Sequence, residues 1–286
     1  MDTHSLPAGT GGRLVAMVPT TRYTTNDTAS GARAGTARRV VVRGETAPLR
    51  LFCFHHAGGS AWSFAGWGHR LGRGIDVVPV SLPPRSASAA DSPGSVGTMD
   101  DLVREVAGRL APALDEPHAF YGHSMGALIA YEVAQRRLAA GRRPPVCFVT
   151  GAHRAPHLPA PDLTTDLSDT ALELLLGLGG AGRLLREDPR RMRDVVNRLR
   201  QDLLVGATYR YPAAERRPLP CPVQVFHGSD DPLVPTAHAA AWERHAAGSF
   251  SLRLMPGGHF FHKEHKELFF GELGRALRAA DAAHRR

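Results

Sequence analysis

The feature that most constrains the fold of this chain is the pentapeptide GHSMG at residues 122–126, which lies between two segments of different periodicity. The short apolar run at 119–121 favours a strand, and the segment 127–134 reads as a helix. A G-x-S-x-G pattern between a strand and a helix is typical of a nucleophile elbow, because its two glycines permit the sharp turn that lifts a serine hydroxyl above a sheet. The sequence therefore predicts that Ser124 is a catalytic nucleophile.

A serine nucleophile needs a general base, which is itself oriented by a carboxylate. Where the serine stands on such an elbow, the carboxylate and then the histidine follow later in the chain. Asp231 follows the β-rich run 222–226 and is the predicted acid, with Asp230 as the alternative because it is more typical of a turn residue that caps backbone amides. His259 follows a Gly-Gly turn after the alternating run 250–254 and is the predicted base.

The chain has 15 histidines, so most of them need an ordinary explanation. His123 fills the variable position of the pentapeptide, and we expect it to pack or hydrogen-bond locally. We expect His245, His262 and His265 to be surface residues.

An oxyanion hole requires two backbone N–H groups, one from the residue after the nucleophile and one from the loop after an early strand. Met125 supplies the first. The apolar strand 51–54 opens into a loop of small residues, of which Ala57 is the predicted second donor. His55 and His56 in this loop could also ligate a metal, but no partner cluster with metal-ligand spacing accompanies them, so we predict neither a metal nor a cofactor.

The composition favours one large domain with free cysteines. With 286 residues, 43% of them hydrophobic, the chain can bury a sizeable core. Cys53 and Cys147 lie in strand-like runs, which predicts buried thiols in a reducing compartment. Cys221 lies between two prolines with no histidine motif beside it, so we do not expect a cysteine nucleophile. The sequence has no run of 18 apolar residues and no hydrophobic signal core, so we expect a soluble cytoplasmic protein that does not bind membranes.

The formal net charge of +8 has three interpretations. The arginines are scattered and not interleaved with aromatic residues, which argues against nucleic-acid binding. Attraction to an acidic protein partner and an arginine-rich composition without any partner both remain open.

From residue 38 the chain alternates strands and helices, which predicts an α/β fold with a mostly parallel sheet covered by helices on both faces. Residues 1–37 are rich in Thr, Gly, Ala and Ser, and we expect them to be a disordered extension of a domain at 38–286. Helices are predicted at 100–114 and 263–282. The predicted strands are 39–43, 50–54, 75–80, 118–121, 146–150, 222–226 and 250–254.

The segment 152–215 interrupts this alternation with two helical stretches, one at 168–176 and one after Asp188-Pro189. Inserted between the fifth and sixth core strands, it is predicted to be a movable lid over the catalytic face. A helical subdomain that only packs on the core is the alternative.

Over about residues 48–275 the chain resembles the type II (editing) thioesterases, α/β hydrolases that serve polyketide and nonribosomal peptide synthetases. Two positions depart from the pattern, because the family usually has proline where this chain has His55 and glycine where it has Pro84. Residues 1–37 have no counterpart in the family, and Met17 is a candidate internal start. The resemblance rests on the segments 51–54, 57–61, 82–85, 122–127, 208–211, 230–234 and 256–261.

The resemblance implies that a monomeric enzyme hydrolyses acyl groups from the phosphopantetheine arm of an acyl or peptidyl carrier protein, through an acyl-serine. Carrier domains are typically acidic, which would give the basic surface a purpose. A small-molecule esterase or lipase, an acyltransferase with the same triad and a non-catalytic binding protein remain alternatives.

Overall fold

The computed structural model describes residues 47–86, 95–159, 164, 166–178 and 187–286. The predicted disordered segment 1–37 and the predicted strand 39–43 lie outside these residues.

Six parallel strands of the described residues form one sheet in the order β2-β1-β3-β4-β5-β6, which confirms the predicted α/β fold. Every strand begins and ends within two residues of its predicted bounds. The two central strands β3 and β4 are buried along their whole length, as expected when helices cover both faces of a parallel sheet. The strands are β1 (Leu49–Phe54), β2 (Ile75–Pro79), β3 (His118–His123), β4 (Cys147–Gly151), β5 (Val223–Gly228) and β6 (Phe250–Met255).

Eight α-helices of the described chain connect or follow these strands. They are α1 (Trp67–Leu71), α2 (Met99–Leu110), α3 (Met125–Ala139), α4 (Asp169–Leu178), α5 (Pro189–Ala207), α6 (Thr236–Ala240), α7 (Phe261–Glu264) and α8 (Lys266–His284).

Alternate side chains of the strands pack into two separate cores. Phe54 and Phe120 lie on the face of the sheet that α2 and α3 cover, in the same core as Trp242. Tyr121, one residue further, points to the other face and packs with α1 and α8. The period-two alternation of side chains along a strand therefore divides the apolar residues between the two helical layers.

Two helix predictions run through a break in the observed helices. The helix predicted at 100–114 ends at Leu110 and continues as a 3-10 turn, because Pro112 has no N–H for the next α-helical bond. The helix predicted at 263–282 is instead the pair α7 and α8, since His265 between them leaves the helical region with φ −120° and ψ 58°.

The helices α4 and α5 lie in the chain between β4 and β5, inside the predicted insertion. They pack on each other around Leu172, Met192, Val196 and Leu199, with Ala57 of the core loop against the same cluster. Asp188 accepts hydrogen bonds from the amides of Arg190 and Arg191, both at 3.1 Å, and so caps α5 as the sequence predicts. Whether the insertion moves as a lid stays a prediction.

All three cysteines are free and buried, and burial raises the pKa of each thiol, that of Cys221 to about 12. Among the described residues, no helix is long and apolar enough to cross a membrane.

Candidate active site

Ser124 stands on a strained turn between β3 and α3. It is a non-glycine residue with a positive φ of 53° and a ψ of −127°, a combination that an L-residue adopts at a cost. Its amide donates to the carbonyl of Gly151 at 2.8 Å, and its own carbonyl accepts from the amide of Ala127 at 2.8 Å. These two hydrogen bonds hold the serine at the carboxyl end of the central strands.

The two glycines of the pentapeptide are required by close packing rather than by unusual φ angles. A Cβ at Gly126 would lie 2.1 Å from the carbonyl oxygen of Phe54, and a Cβ at Gly122 would lie 2.4 Å from Cα of Ala127. Both neighbouring atoms belong to the backbone and cannot rotate away. The first turn of α3 can therefore approach β1 and β3 only if both positions lack a side chain.

The loops after β5 and β6 bring the predicted acid and base together. Nδ1 of His259 donates to Oδ2 of Asp231 at 2.9 Å. Oδ1 of the same carboxylate accepts from the amides of Leu233 at 2.9 Å and Val234 at 3.3 Å, and the side chain of Asp231 is entirely buried. A carboxylate fixed in this way selects the imidazole tautomer whose other nitrogen, Nε2, can accept a proton.

Asp230, the alternative acid, lies in a different environment. Its carboxylate is exposed and accepts a hydrogen bond from the Ser229 hydroxyl at 2.9 Å. Of the two aspartates, only Asp231 is hydrogen-bonded to His259 in the structure.

Ser124 and His259 line the same cavity, which has a volume of about 730 Å³. No hydrogen bond joins the serine hydroxyl to the imidazole within the described ranges. In enzymes without bound substrate, catalytic hydrogen bonds are often long and shorten only in the complex.

The two predicted oxyanion donors, Met125 and Ala57, line this cavity as well. The carbonyl of His56 accepts from the amide of Gly59 at 3.0 Å and from Nδ1 of His55 at 2.8 Å. Because a trans peptide is planar, the N–H of Ala57 points away from that carbonyl. His55 stands where the family that this chain resembles usually has proline. It thus helps to orient the peptide that carries the Ala57 amide.

His123 is buried beneath the site and makes one local and one distant hydrogen bond. Its Nε2 donates to the backbone carbonyl of His259 at 3.0 Å, so its Nδ1 accepts from the Tyr121 hydroxyl at 3.1 Å. Burial lowers the pKa of His123 well below its usual value, which keeps the ring neutral. The expectation of purely local contacts was incomplete, since His123 supports the loop that carries the predicted base.

The expectation of surface positions was right for His265 and wrong for His245 and His262. His245 is hydrogen-bonded to the Tyr131 hydroxyl at 3.0 Å, and burial lowers its pKa to about 4. His262 packs against the ring of His123, and burial lowers its pKa to about 3. Each imidazole thus contacts a hydroxyl or an aromatic ring from another segment, which the local sequence does not indicate.

The cavity is mixed in character. Its apolar wall includes Leu128, Leu158, Leu203 and Val234, while Arg154 contributes a half-buried cation whose pKa is lowered by burial. In the part of the chain that the structure describes, no group of three or more His, Cys, Asp or Glu side chains could hold a metal ion.

Asp202 of α5 was not predicted as a site residue, yet its carboxylate contacts the loop that contains Ala57. Its side chain is fully buried, accepts from the Gly58 amide at 2.8 Å and pairs with Arg85. A signal for it exists in the sequence, because Asp202 lies between Leu199 and Leu203 on the apolar face of the helix.

The comparisons with known proteins agree with one another. A family model described as a thioesterase domain matches residues 49–277. The gramicidin S biosynthesis protein GrsT of Aneurinibacillus migulanus is 35% identical over 223 residues, which are 77% of this chain and 85% of that protein. The thioesterase PikA5 of Streptomyces venezuelae is 35% identical over 217 residues, covering 74% of this chain and 75% of that protein. The structure of the thioesterase RedJ from the prodiginine pathway of Streptomyces coelicolor superposes with a TM-score of 0.70 at 35% identity, covering 83% of this chain and 96% of RedJ.

Proposed function

This chain belongs to the thioesterase family, and we propose that it hydrolyses acyl thioesters held on the phosphopantetheine arm of an acyl or peptidyl carrier protein in polyketide or nonribosomal peptide biosynthesis. The observation that carries the proposal is the buried Asp231–His259 hydrogen bond beside the cavity that Ser124 lines. Relatives named for gramicidin S and prodiginine biosynthesis support the pathway class.

In the first half-reaction, Nε2 of His259 takes the proton of the Ser124 hydroxyl as its oxygen attacks the thioester carbonyl. The amides of Met125 and Ala57 stabilise the oxyanion of the tetrahedral intermediate. The C–S bond then breaks, His259 returns the proton to the leaving thiolate, and an acyl-serine remains.

In the second half-reaction, His259 takes a proton from water, whose oxygen attacks the acyl-serine. Collapse of the intermediate breaks the bond to the serine oxygen, which recovers its proton from His259. The products are the free acid and the regenerated enzyme. Asp231 stays ionised throughout and stabilises the imidazolium that forms in each half.

The net positive charge of the chain fits a carrier partner. A formal charge of +8 attracts an acidic domain and increases the rate of encounter at low salt. The cavity of about 730 Å³ then receives the acyl group and the end of the arm.

The first test is the substitution Ser124→Ala, assayed by release of free thiol from acyl-N-acetylcysteamine. Because the serine oxygen attacks the thioester in the first half-reaction and carries the acyl group into the second, we expect the rate to fall by about 10⁴-fold or more. Ser251→Ala is the matched control, since the Ser251 hydroxyl binds Gln224 on the sheet and should leave the rate unchanged. Retained turnover in Ser124→Ala would refute the assignment.

The substrate class is tested on the wild-type enzyme with one acyl group in three forms: an oxygen ester, an acyl-N-acetylcysteamine and an acyl carrier protein. We expect kcat/KM to be highest for the carrier. A preference for the oxygen ester would favour a carboxylesterase, and labelling of Ser124 by a fluorophosphonate without turnover of any ester would favour acyl transfer to another acceptor.

A further inference from the structure

The carboxylate of Asp202 joins three segments of the chain at a point closed to solvent. Oδ1 and Oδ2 accept from Nε and Nη2 of Arg85, the second at 3.1 Å, while Oδ2 also accepts from the Gly58 amide at 2.8 Å. Arg85 donates in addition to the carbonyl of Pro83 at 2.6 Å. A buried carboxylate with three donors, two of them from a paired guanidinium, is a charge-assisted arrangement that holds its neighbours in fixed positions.

Helix α5 and the loop at 55–60 pack closely beside this carboxylate, at Gly58 and Leu199. Gly58 has a positive φ of 75°, and a Cβ there would lie 3.1 Å from Cβ of Leu199. Leu199 lies three residues before Asp202, so both face the loop from one side of the helix. The contact therefore depends on the position of α5 as well as on the loop itself.

The hydrogen bonds around Ala57 fix both peptides that flank it. The preceding peptide is held through the His56 carbonyl, and the following peptide is held through the Gly58 amide, which donates to Asp202. A peptide bound at one end has little freedom at the other, because it is planar. The Ala57 N–H belongs to the first of these peptides and Asp202 holds the second, so a side chain of the insertion fixes Ala57 from its other end.

We propose that Asp202 is a positioning residue of the oxyanion hole, which holds the Ala57 amide in its working direction from helix α5. The proposal rests on the proposed function for the identity of the oxyanion. With this carboxylate bound to the loop, the middle of α5 stays attached to the core during turnover. Any opening of the insertion as a lid then involves its other parts.

The test compares Asp202→Asn with a matched variant, Glu272→Gln. The asparagine is nearly isosteric but loses the charge that both Gly58 and Arg85 recognise. Glu272 pairs with Arg253 between α8 and β6 and is assigned no part in the site, so its substitution breaks a half-buried ion pair elsewhere. Folding is measured by circular dichroism and thermal unfolding, and rates are normalised to the folded fraction.

We expect Asp202→Asn to lower kcat by about 10- to 100-fold with KM changed less than about twofold, since loss of an oxyanion donor costs about 10²–10³ and misdirection costs less. Its affinity for a trifluoromethyl ketone, which forms a tetrahedral oxyanion on the serine, should fall in parallel. Glu272→Gln should keep both values. A folded Asp202→Asn enzyme with wild-type kcat and wild-type ketone affinity would overturn the proposal.

Two further measurements keep the proposal testable if Asp202→Asn does not fold. In the wild-type protein the Gly58 amide should show slow hydrogen exchange by NMR, and rapid exchange like that of a free loop amide would overturn the proposal. The rate of fluorophosphonate labelling of Ser124 also depends on the oxyanion hole but requires no thioester turnover. Asp202→Glu, which keeps the charge but moves it, should slow that labelling even if the proposed substrate class is wrong.

Discussion

At the scale of single residues, two adjacent aspartates show how the backbone assigns different chemistry to the same side chain. Asp230 and Asp231 both follow β5, yet one carboxylate faces solvent and the other is buried against His259. The turn amides of Leu233 and Val234 hold the buried carboxylate. Environment rather than residue type therefore distinguishes the candidate acid from its neighbour.

Exchanging each aspartate for asparagine tests this distinction. Asp231→Asn should lower kcat by about 10³–10⁴-fold, because an amide can stabilise the wrong tautomer of His259 and cannot stabilise its cation. Asp230→Asn should change kcat by less than about twofold. The measurement is kcat for acyl-N-acetylcysteamine under steady-state conditions. An equal decrease in kcat in the two variants would contradict the assignment of Asp231 as the acid.

The sequence predicts Ser124, Asp231 and His259 because each follows a strand-like run in the expected chain order, and the structure brings them to one end of the sheet. The sequence does not predict the hydrogen bond from His123 to the His259 carbonyl, since these residues are 136 positions apart. Local patterns specify what a side chain is and which element carries it. They do not specify its partner from a distant segment.

At the scale of elements, the close packing of the turn between β3 and α3 depends on two glycines, which have no side chain. The strands were predicted well because they are short apolar runs between clear turn signals. The broken ends of α2 and α8 were not, since their apolar spacing continues through Pro112 and His265.

Two glycine-to-alanine substitutions should have opposite effects on stability. Gly126→Ala would place a methyl group 2.1 Å from the Phe54 carbonyl oxygen, so β1 or α3 must shift, and we expect a lower melting temperature and lost activity. Gly108→Ala lies inside α2 with open space around it and should stabilise the protein by about 1 kcal/mol. Thermal unfolding of both variants checks the pair, and an unchanged melting temperature for Gly126→Ala would contradict the packing argument.

At the scale of the whole molecule, several buried imidazoles couple folding to pH. Burial lowers the pKa of His118 and His245 to about 4 and that of His153 and His262 to about 3, against a usual value of 6.5. These rings are neutral in the folded protein but bind protons in the unfolded chain below about pH 6.5. Stability should therefore be full above pH 6.5 and fall as the pH decreases towards 4.

We expect each such histidine to contribute a slope of about 1.4 kcal/mol per pH unit within this interval. His118→Gln, far from the site and still able to donate to the Glu116 carbonyl, should reduce the slope by that amount. His69→Gln, at an exposed position, should leave the slope unchanged. Urea unfolding at pH 7.5, 6.0 and 5.0 provides the measurement, and equal slopes in His118→Gln and the wild type would contradict the argument.

The parallel sheet confirms the predicted α/β fold, and the matching family model confirms the thioesterase family. Strand–helix alternation predicted the fold, whereas the family was predicted from a resemblance over several motifs. The attachment of α5 to the core could not be predicted from periodicity. The bond from Gly58 to Asp202 spans 144 positions and depends on how the helix docks.

Strands β4 and β5 are hydrogen-bonded neighbours, with Phe148 beside Val223, although the entire helical insertion separates them in the chain. Both ends of the inserted segment thus return to the same place on the scaffold. Such a segment can be exchanged as a cassette during evolution without any change in strand register. Acyl selectivity can diverge in this way while the hydrolytic chemistry is inherited, provided that each new cassette again brings a carboxylate to Gly58.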